Sequence, residues 1–314
     1  MKLYQRHEND PAPYGQADPY ILKGGDGRYY VYATGGPSVE LFSSDELLSG
    51  WRYDGHCLDA PGQHTFWAPS VARLDDGKYY MYYSSVRAGE EYDDHAQTMR
   101  VAVSETPGGP FRYVKDLLPP FSIDSHIVKT PSGLYLFYSV NRYSGGRVGT
   151  YIVCDRMLDP LTPEGRPEPV VVPTLDQEIF KRDRFKPGED WHTIEGAYYF
   201  YHGGVHFVMY SGAAYGNDTY FVGYATADGP EDADLRRLTW VKYPDPDTWR
   251  PLLRSNDQIE GMGHNSVIFE GEKCYIVYHG RDVGFTAPGG ADARCARIDE
   301  MEIKGKELSV TPTV

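Results

Sequence analysis

Residues able to move protons recur at corresponding places of a repeated pattern in this chain. The pattern is a run of aromatic and β-branched residues, found five times at positions 29–34, 79–84, 134–139, 206–211 and 274–279. Counting back 15 or 16 residues from the end of each run gives, in order, Asp18, Ala68, Asp124, Glu195 and His264. A repeat that served packing alone would have no reason to place three acids and an imidazole there.

Carboxylates that converge repel one another, so at least one of them should have a raised pKa. Such a cluster indicates either chemical use or a bound cation; the structural alternative is that each acid caps a strand end or binds water separately. Two opposed carboxyl groups suit hydrolysis of a glycosidic bond. The ionised one takes a proton from water and the protonated one gives a proton to the departing sugar oxygen. A third carboxylate can raise the pKa of the acid.

The elements that must position these residues are β-hairpins. Each repeat has an apolar-centred strand, a glycine-containing or Asp-Gly turn, and the aromatic strand that returns, which is a strong hairpin signal. The repeats are 50 to 72 residues apart, room for about four strands, as in a propeller blade. The pattern therefore predicts an all-β, five-bladed β-propeller over residues 1–314 as one domain. A β-sandwich is the rival, but its strands do not normally recur as five equivalent hairpins.

Composition excludes several classes of partner. The chain has 27 tyrosines but 7 methionines, which favours strands. A net charge of -14 argues against nucleic acid, which needs clustered Lys and Arg, and against an anionic membrane surface. No run of about 18 apolar residues predicts a membrane span. The N-terminal residues lack an apolar signal core and the four cysteines are scattered, so we expect a cytoplasmic protein, although a mature secreted form would look the same.

Five short motifs around the repeat positions resemble those of glycoside hydrolase family 43. They are Ala17-Asp18-Pro19-Tyr20, Trp67-Ala68-Pro69-Ser70, Ile123-Asp124-Ser125, Ile194-Glu195-Gly196, and Gly263-His264-Asn265-Ser266-Val267 followed by Tyr278-His279-Gly280. That family consists of five-bladed propellers that cleave arabinose- and xylose-containing polymers with inversion. Ser125 stands where proline is usual, but the carboxylate of Asp124 is retained.

The resemblance implies a role for each acid. Asp18 would be the general base, Glu195 the general acid, and Asp124 the group that tunes and orients Glu195. Inversion implies a separation of roughly 6.5–9.5 Å between the base and the acid, which leaves room for the attacking water.

The resemblance also suggests residues that contact the sugar or an ion. Phe66 and Trp67 would wall the sugar pocket, although Trp67 could instead fill the space between blades, and Ala68 would leave room for the sugar. Arg294 would lie near the sugar ring rather than at the surface. His264 would face a structural calcium ion in the central channel; calcium prefers oxygen ligands, so one histidine with waters would be an unusual site. No organic cofactor is expected.

The charged stretch at 177–192 and the tripeptide Asn141-Arg142-Tyr143 are candidates for the pocket rim. The acidic run at 90–94 is interpreted as a solvated loop rather than a calcium site.

The function expected from the resemblance is exo-acting release of terminal α-L-arabinofuranosyl residues from arabinan- or arabinoxylan-derived oligosaccharides. The alternatives are a β-D-xylosidase or bifunctional enzyme, an endo-arabinanase, and a non-catalytic sugar-binding propeller. Related retaining fructan hydrolases are a further class, but the chain lacks their Asn-Asp-Pro-Asn and Arg-Asp-Pro motifs. The sequence leaves the oligomeric state open.

Overall fold

All five repeats fold as antiparallel hairpins. A computed structural model describes residues 1–7, 10–90 and 95–314. In it each aromatic run belongs to the second strand of a hairpin; Tyr32 pairs with Tyr20 in the first repeat. Gly27 and Gly77, in two of the turns, have φ of 87° and 82°, a left-handed conformation that glycine adopts without steric cost. Residues 91–94 lie outside the described part, so the interpretation of the acidic run stays a prediction.

Within the described residues, the strands form four mainly antiparallel sheets, and the largest, of 11 strands, comprises two blades. Blade 1 contains β1 (Tyr20–Lys23), β2 (Tyr29–Ala33), β3 (Glu40–Ser44) and β4 (Arg52–His56). Blade 2 contains β5 (Leu58–Asp59), β6 (Gln63–Arg73), β7 (Tyr79–Arg87), β8 (Thr98–Ser104) and β9 (Phe111–Asp116), with β5 parallel to β9. Blade 3 contains β10 (Ile123–Thr130), β11 (Gly133–Arg142), β12 (Gly149–Asp159), β13 (Thr162–Pro163) and β14 (Glu168–Val171).

The last two blades carry the longer insertions. A 3₁₀ turn (Asp176–Glu178) leads into blade 4, which contains β15 (Ile179–Lys181), β16 (Trp191–His202), β17 (Val205–Gly212), β18 (Phe221–Asp228), β19 (Val241–Lys242) and β20 (Leu253–Arg254). Blade 5 contains β21 (Ile259–Glu270), β22 (Lys273–Asp282), β23 (Cys295–Lys304) and β24 (Glu307–Val310), with a second 3₁₀ turn at Pro288–Gly290. A short parallel pairing of β12 with β16 joins the sheets of blades 3 and 4.

The innermost strands close into a ring. Strands β1, β6, β10, β16 and β21 each contact the next, and β21 contacts β1. The N-terminal segment completes the closure by pairing with β23 of the last blade: Leu3 N–H donates to Ala296 O at 2.9 Å and Ile298 N–H to Met1 O at 2.8 Å. The β-propeller predicted from the repeats is therefore confirmed.

The aromatic runs pack between the blades. Strand β2 is buried at all five positions, as expected of a strand covered on both faces. One apolar cluster joins blades 1 and 2 and includes Tyr32, Phe66, Val71 and Tyr83. Cys274, which has a free thiol, is buried in the core as a small apolar residue. In the part of the chain that the structure describes, no helix has the length and apolar character needed to cross a membrane.

The innermost strands share a strained position. In β6, β10, β16 and β21 the pairing register shifts at the same place, and the residue there has a left-handed backbone. In blade 1 the corresponding residue lies two positions before β1. The φ values are 53° for Asp18, 42° for Ala68, 57° for Asp124, 65° for Gly196 and 43° for His264. This conformation costs a non-glycine residue about 1–2 kcal/mol, and such strain is concentrated at functional sites.

Candidate active site

Residues at or next to the strained positions of the inner strands surround one cavity. Its volume is about 100 Å³, and its lining consists of Asp18, Thr34, Trp67, Ile123, Asp124, Glu195, Tyr215, Tyr220, His264 and Arg294. The structure thus brings together the three carboxylates and the imidazole selected from the repeat. It adds Thr34, Ile123, Tyr215 and Tyr220, which the sequence reasoning did not select.

The pairing register of the strands corrects one of the five positions that were selected from the repeat. The fourth member of the strained set is Gly196, whereas the sequence pattern assigned that place to Glu195. Glu195 pairs with Ser211 on the near side of the bulge, as Trp67 pairs with Ser84 in blade 2. Because the spacing to the end of the run is 15 residues in some repeats and 16 in others, counting along the sequence cannot resolve a one-residue bulge. Glu195 still reaches the cavity, from a different strand position than Asp18 and Asp124.

Asp18 is held as a carboxylate by the groups around it. Oδ2 accepts a 2.5 Å hydrogen bond from Thr34, while Oδ1 lies 3.5 Å from Arg294 Nη1 and 3.3 Å from His264 Nδ1 and His279 Nδ1. Burial by itself would raise the pKa of Asp18, but His264, Arg294 and His279 outweigh it and lower the pKa. Since burial lowers the pKa of His264 and brings that of His279 to about 4, Arg294 supplies the permanent positive charge.

Glu195 has the opposite tendency. Burial raises its pKa to about 7; the hydrogen bond from Tyr220 opposes that shift and the charge of Asp18 adds to it. The Tyr220 hydroxyl donates to Oε1 at 2.7 Å. Two carboxyl groups in one cavity with pKa values displaced in opposite directions can act as base and acid at the same pH.

Asp124, the third carboxylate, is bonded to the backbone next to Glu195. Its Oδ2 accepts a hydrogen bond of 3.2 Å from Gly196 N–H, the peptide group directly after Glu195. Burial raises the pKa of Asp124 well above its usual range, and the charges of Glu195 and Asp18 raise it further. Asp124 therefore fixes the backbone next to Glu195.

Three of the five polar residues that end the aromatic runs tie their blade to the next one; in the other two runs, Ser84 Oγ and Ser139 Oγ are buried without a hydrogen-bond partner among the described residues. Thr34 Oγ1 accepts from Ala68 N–H at 2.9 Å, and Ser211 Oγ accepts from His264 N–H at 2.7 Å. His279 Nδ1 accepts from Asp18 N–H at 3.1 Å. These bonds hold the left-handed residues in place. The recurrence of a polar residue at the end of each run was a signal in the sequence that we did not use.

Of the four residues predicted to contact the sugar, two line the cavity and two do not. Arg294 lines the cavity with its side chain 13% exposed, so the surface alternative is wrong; Asp292 holds its guanidinium. Trp67 also lines the cavity. The prediction for Phe66 is wrong: it is 1% exposed and its ring packs against Tyr83 in the core between blades 1 and 2. Side chains alternate along a strand, so Phe66 points away from the face that Trp67 presents. Ala68 is buried and is not part of the cavity lining.

A second cavity of about 70 Å³ adjoins the first and shares Trp67, Ile123, Glu195 and Tyr215 with it. Its remaining lining residues are His95, Phe121, Asn141, Thr150, Phe180, Arg184, Trp191 and Thr193. Asn141 and the segment at 177–192 thus form part of the rim, as considered from the sequence. The Arg184 guanidinium lies 4.9 Å from the Trp191 ring centroid and 5.2 Å from that of Phe180.

A buried ion pair anchors the segment that carries Phe180 and Arg184. Lys242 of β19 bonds to Glu178, and both side chains are almost fully buried. Glu178 also accepts the backbone N–H groups of Thr174 and Leu175, at 2.6 and 3.0 Å. A buried charge pair with its remaining valences satisfied resists displacement, because removing one partner would leave an unpaired buried charge. The second cavity therefore has a fixed wall.

The predicted metal role of His264 does not fit the surrounding donors well. Among the described residues, no group of three or more His, Cys, Asp or Glu side chains is arranged to hold a metal ion. His264 Nδ1 faces Asp18, and calcium takes six to eight oxygen ligands. An ion here would be held mainly by water, and the chemistry considered below does not use one.

Sequence comparison identifies the family. The model of glycosyl hydrolases family 43 matches residues 11–307, nearly the whole chain. The chain belongs to this family.

Two relatives illustrate how far the similarity extends. An extracellular exo-α-(1→5)-L-arabinofuranosidase of Streptomyces chartreusis is 27% identical over 300 residues, which cover 86% of this family 43 chain and 83% of that protein. A probable arabinan endo-1,5-α-L-arabinosidase C of Aspergillus oryzae is 38% identical over 80 residues, 24% of this chain. The chain spans only about a quarter of the length of that relative (25%).

Solved structures confirm the fold. A thermostable family-43 glycoside hydrolase superposes with a TM-score of 0.77 at 29% identity, covering 95% of this chain and 93% of that one. An endo-1,4-β-xylanase from Bacteroides thetaiotaomicron superposes with a TM-score of 0.73 at 26% identity, covering 95% and 94%.

Proposed function

We propose that this family 43 protein is an inverting, exo-acting glycoside hydrolase that releases terminal α-L-arabinofuranosyl residues from arabinan- or arabinoxylan-derived oligosaccharides. The observation that carries the proposal is the pair of carboxyl groups in one cavity, Asp18 with a lowered pKa and Glu195 with a pKa raised to about 7. The similarity over 86% of the chain to an exo-acting arabinofuranosidase supports the choice of sugar.

The mechanism follows from these protonation states. Asp18 takes a proton from a water molecule as that water attacks the anomeric carbon, and Glu195 gives its proton to the departing oxygen. Arg294 and Thr34 keep Asp18 ionised and oriented. Asp124 holds the peptide after Glu195 and so fixes the position of the acid.

The two cavities would receive the two parts of the substrate on either side of the bond that is cleaved. The first contains both carboxyl groups and receives the sugar that is released, while the second shares Glu195 with it and receives the leaving group. A first cavity of about 100 Å³ supports action at a chain end. A β-D-xyloside is the second candidate, because the chain is 26% identical over 95% of its length to a solved protein described as a xylanase.

Hydrolysis of 4-nitrophenyl α-L-arabinofuranoside and 4-nitrophenyl β-D-xyloside, measured side by side, tests the choice of sugar. We expect the arabinofuranoside to be cleaved faster; a higher kcat/KM for the xyloside would transfer the proposal to a xylosidase. A proton NMR time course should show that the first sugar released has inverted anomeric configuration. Retained configuration would contradict the assignment of Asp18 as a base. Absence of turnover on both substrates, with sugar binding intact, would favour a binding protein.

Replacing Arg184 by alanine should raise KM for arabinotriose by roughly 10-fold while leaving hydrolysis of the nitrophenyl substrate within about 3-fold. The guanidinium lines the second cavity, so its loss removes hydrogen bonds to leaving-group hydroxyls, and a bond to a charged group is worth about 1.5–3 kcal/mol. Arg156→Ala is the matched control: its guanidinium bonds to a backbone carbonyl on the other side of blade 3. Equal changes on the two substrates would show that the second cavity does not receive the leaving group.

The calcium prediction is checked by elemental analysis of the purified protein and by thermal unfolding with and without a chelator. If His264 lies beside a bound ion, the protein should contain about one equivalent of calcium, and EDTA should lower Tm, because an ion bound only to the folded state stabilises it. His264→Ala should abolish that difference. No calcium and an unchanged Tm would contradict the prediction.

A further inference from the structure

Tyr220 is a buried wall of the cavity whose purpose is not explained by sugar contact alone. It directly precedes β18, is 1% exposed, and its hydroxyl donates to Glu195 Oε1 at 2.7 Å. Burial, and then the charge of Glu195, raise the pKa of its phenol well above the usual range. Tyr220 therefore stays protonated and remains a hydrogen-bond donor.

The ring of Tyr220 is held from the side of the base. It stacks on His279, with ring centroids 5.7 Å apart and planes inclined by 5°. His279 is fully buried and accepts the backbone N–H of Asp18. The stack thus connects the backbone of the candidate base to the side chain of the candidate acid through two rigid rings.

Gly263 makes room for this ring. A Cβ atom at Gly263 would lie 2.0 Å from Tyr220 Cε1 and 2.1 Å from Cδ1, far inside van der Waals contact. The equivalent positions just before the bulge in other blades hold Trp67, Ile123 and Glu195. Blade 5 therefore lacks a side chain where blade 4 inserts the ring of Tyr220.

The hydrogen bond also determines which oxygen of Glu195 can be the acid. A protonated carboxyl group has one O–H and one carbonyl oxygen. The carbonyl oxygen is the stronger acceptor, so the bond from Tyr220 to Oε1 favours the form with the proton on Oε2. We propose that Tyr220 is a positioning residue that fixes Glu195 with its Oε2–H directed at the leaving-group oxygen. The ring of Tyr220 occupies the space that Gly263 leaves open. This inference rests on the proposed function of Glu195.

The test is the dependence of rate on the leaving group. Tyr220→Phe keeps the ring and removes the hydroxyl. It should lower kcat on α-1,5-linked arabinobiose by roughly 10- to 100-fold, the cost of a misplaced catalytic group. KM and the rate on 4-nitrophenyl α-L-arabinofuranoside, whose leaving group needs little protonation, should change by less than about 3-fold on the same grounds.

A second variant moves the ring without changing it. Gly263 is not among the glycines with left-handed φ, so the backbone tolerates Gly263→Ala and its effect comes from the collision with Tyr220. It should show the same selective loss on arabinobiose. Tyr82→Phe is the matched control, because it removes an equally buried hydroxyl that donates to Pro160 O at 2.7 Å away from the cavity; it should leave both rates unchanged.

Three outcomes separate the possibilities. A loss confined to arabinobiose in both variants supports the positioning role. Equal losses on both substrates, or no loss in Tyr220→Phe, would overturn it. Failure of the wild-type protein to cleave either substrate would instead overturn the proposed function on which it rests.

Discussion

Glu195→Gln is expected to slow hydrolysis of arabino-oligosaccharides by roughly 10²- to 10⁴-fold, the contribution of a general acid. The glutamine keeps the volume of the side chain and its hydrogen bond with Tyr220 but has no acidic proton to give. Hydrolysis of 4-nitrophenyl α-L-arabinofuranoside should fall much less, because nitrophenolate departs without protonation. Steady-state kinetics on the two substrates measure the difference. Losses of equal size would contradict the role of Glu195 as the acid.

Glu40→Gln is the matched control for this variant. Glu40 is also a buried glutamate that accepts a tyrosine hydroxyl, from Tyr53 at 2.6 Å, but it lies in β3 of blade 1 and outside the cavity lining. If burial alone mattered, both variants would lose the same activity. We expect Glu40→Gln to retain wild-type rates on both substrates, whatever its effect on Tm.

The protonation of Glu195 sets the alkaline limit of activity. Glu195 works in its protonated form, and burial raises its pKa to about 7. Raising the pH through this value removes the proton, so kcat/KM for oligosaccharides should fall above about pH 7. Asp18 works ionised and its pKa is lowered, so it stays competent over that range. The pH profile on the nitrophenyl substrate should lack the alkaline fall, and a fall of equal size on both substrates would assign it to another group.

Asp18→Asn is expected to lower kcat on both classes of substrate by roughly 10²- to 10⁴-fold, because no leaving group substitutes for the base that activates water. Asparagine has the same shape and can still accept from Thr34. Asparagine cannot accept a proton from water, and the substitution removes one of the carboxylates beside Arg294. Kinetics on the arabinofuranoside and on arabinobiose, together with added azide as an external nucleophile, provide the measurement.

Asp155→Asn is the control for a buried carboxylate. Asp155 is fully buried in β12 and accepts the backbone N–H groups of Arg156 and Gly165, at 2.8 Å each. This change should lower Tm without a selective loss of turnover. If Asp18→Asn kept more than about a tenth of the wild-type rate on both substrates, the assignment of Asp18 as general base would be wrong, since that role contributes roughly 10²-fold or more.

Much of this propeller was predictable because its signals are local. A glycine or Asp-Gly turn between alternating strands specifies a hairpin within about 20 residues, and five such hairpins specify the repeat. The choice of Asp18, Asp124 and Glu195 followed from comparing each repeat with the others. The prediction that Phe66 contacts the sugar was wrong because side chains alternate along a strand. Trp67 therefore faces the cavity, while its neighbour Phe66 faces the core.

The bulge of the inner strand marks the limit of such reasoning. Four strands shift register at the same place, and Gly196 holds that place in blade 4. The insertion of one residue leaves no unambiguous trace in a sequence whose turn lengths also vary. Glu195 was therefore identified as an acid at the cavity, but its strand position was off by one residue.

The sequence by itself determined the five hairpins, their order and which blades carry an acid, since these depend on residues close together in the chain. Only the tertiary structure decided what surrounds each acid. Arg294 and His279 reach Asp18 from blade 5, and Asp124 holds the peptide after Glu195 from a neighbouring blade. Such contacts exist only after the ring of blades closes, and the same closure buries the two acids and displaces their pKa values in opposite directions.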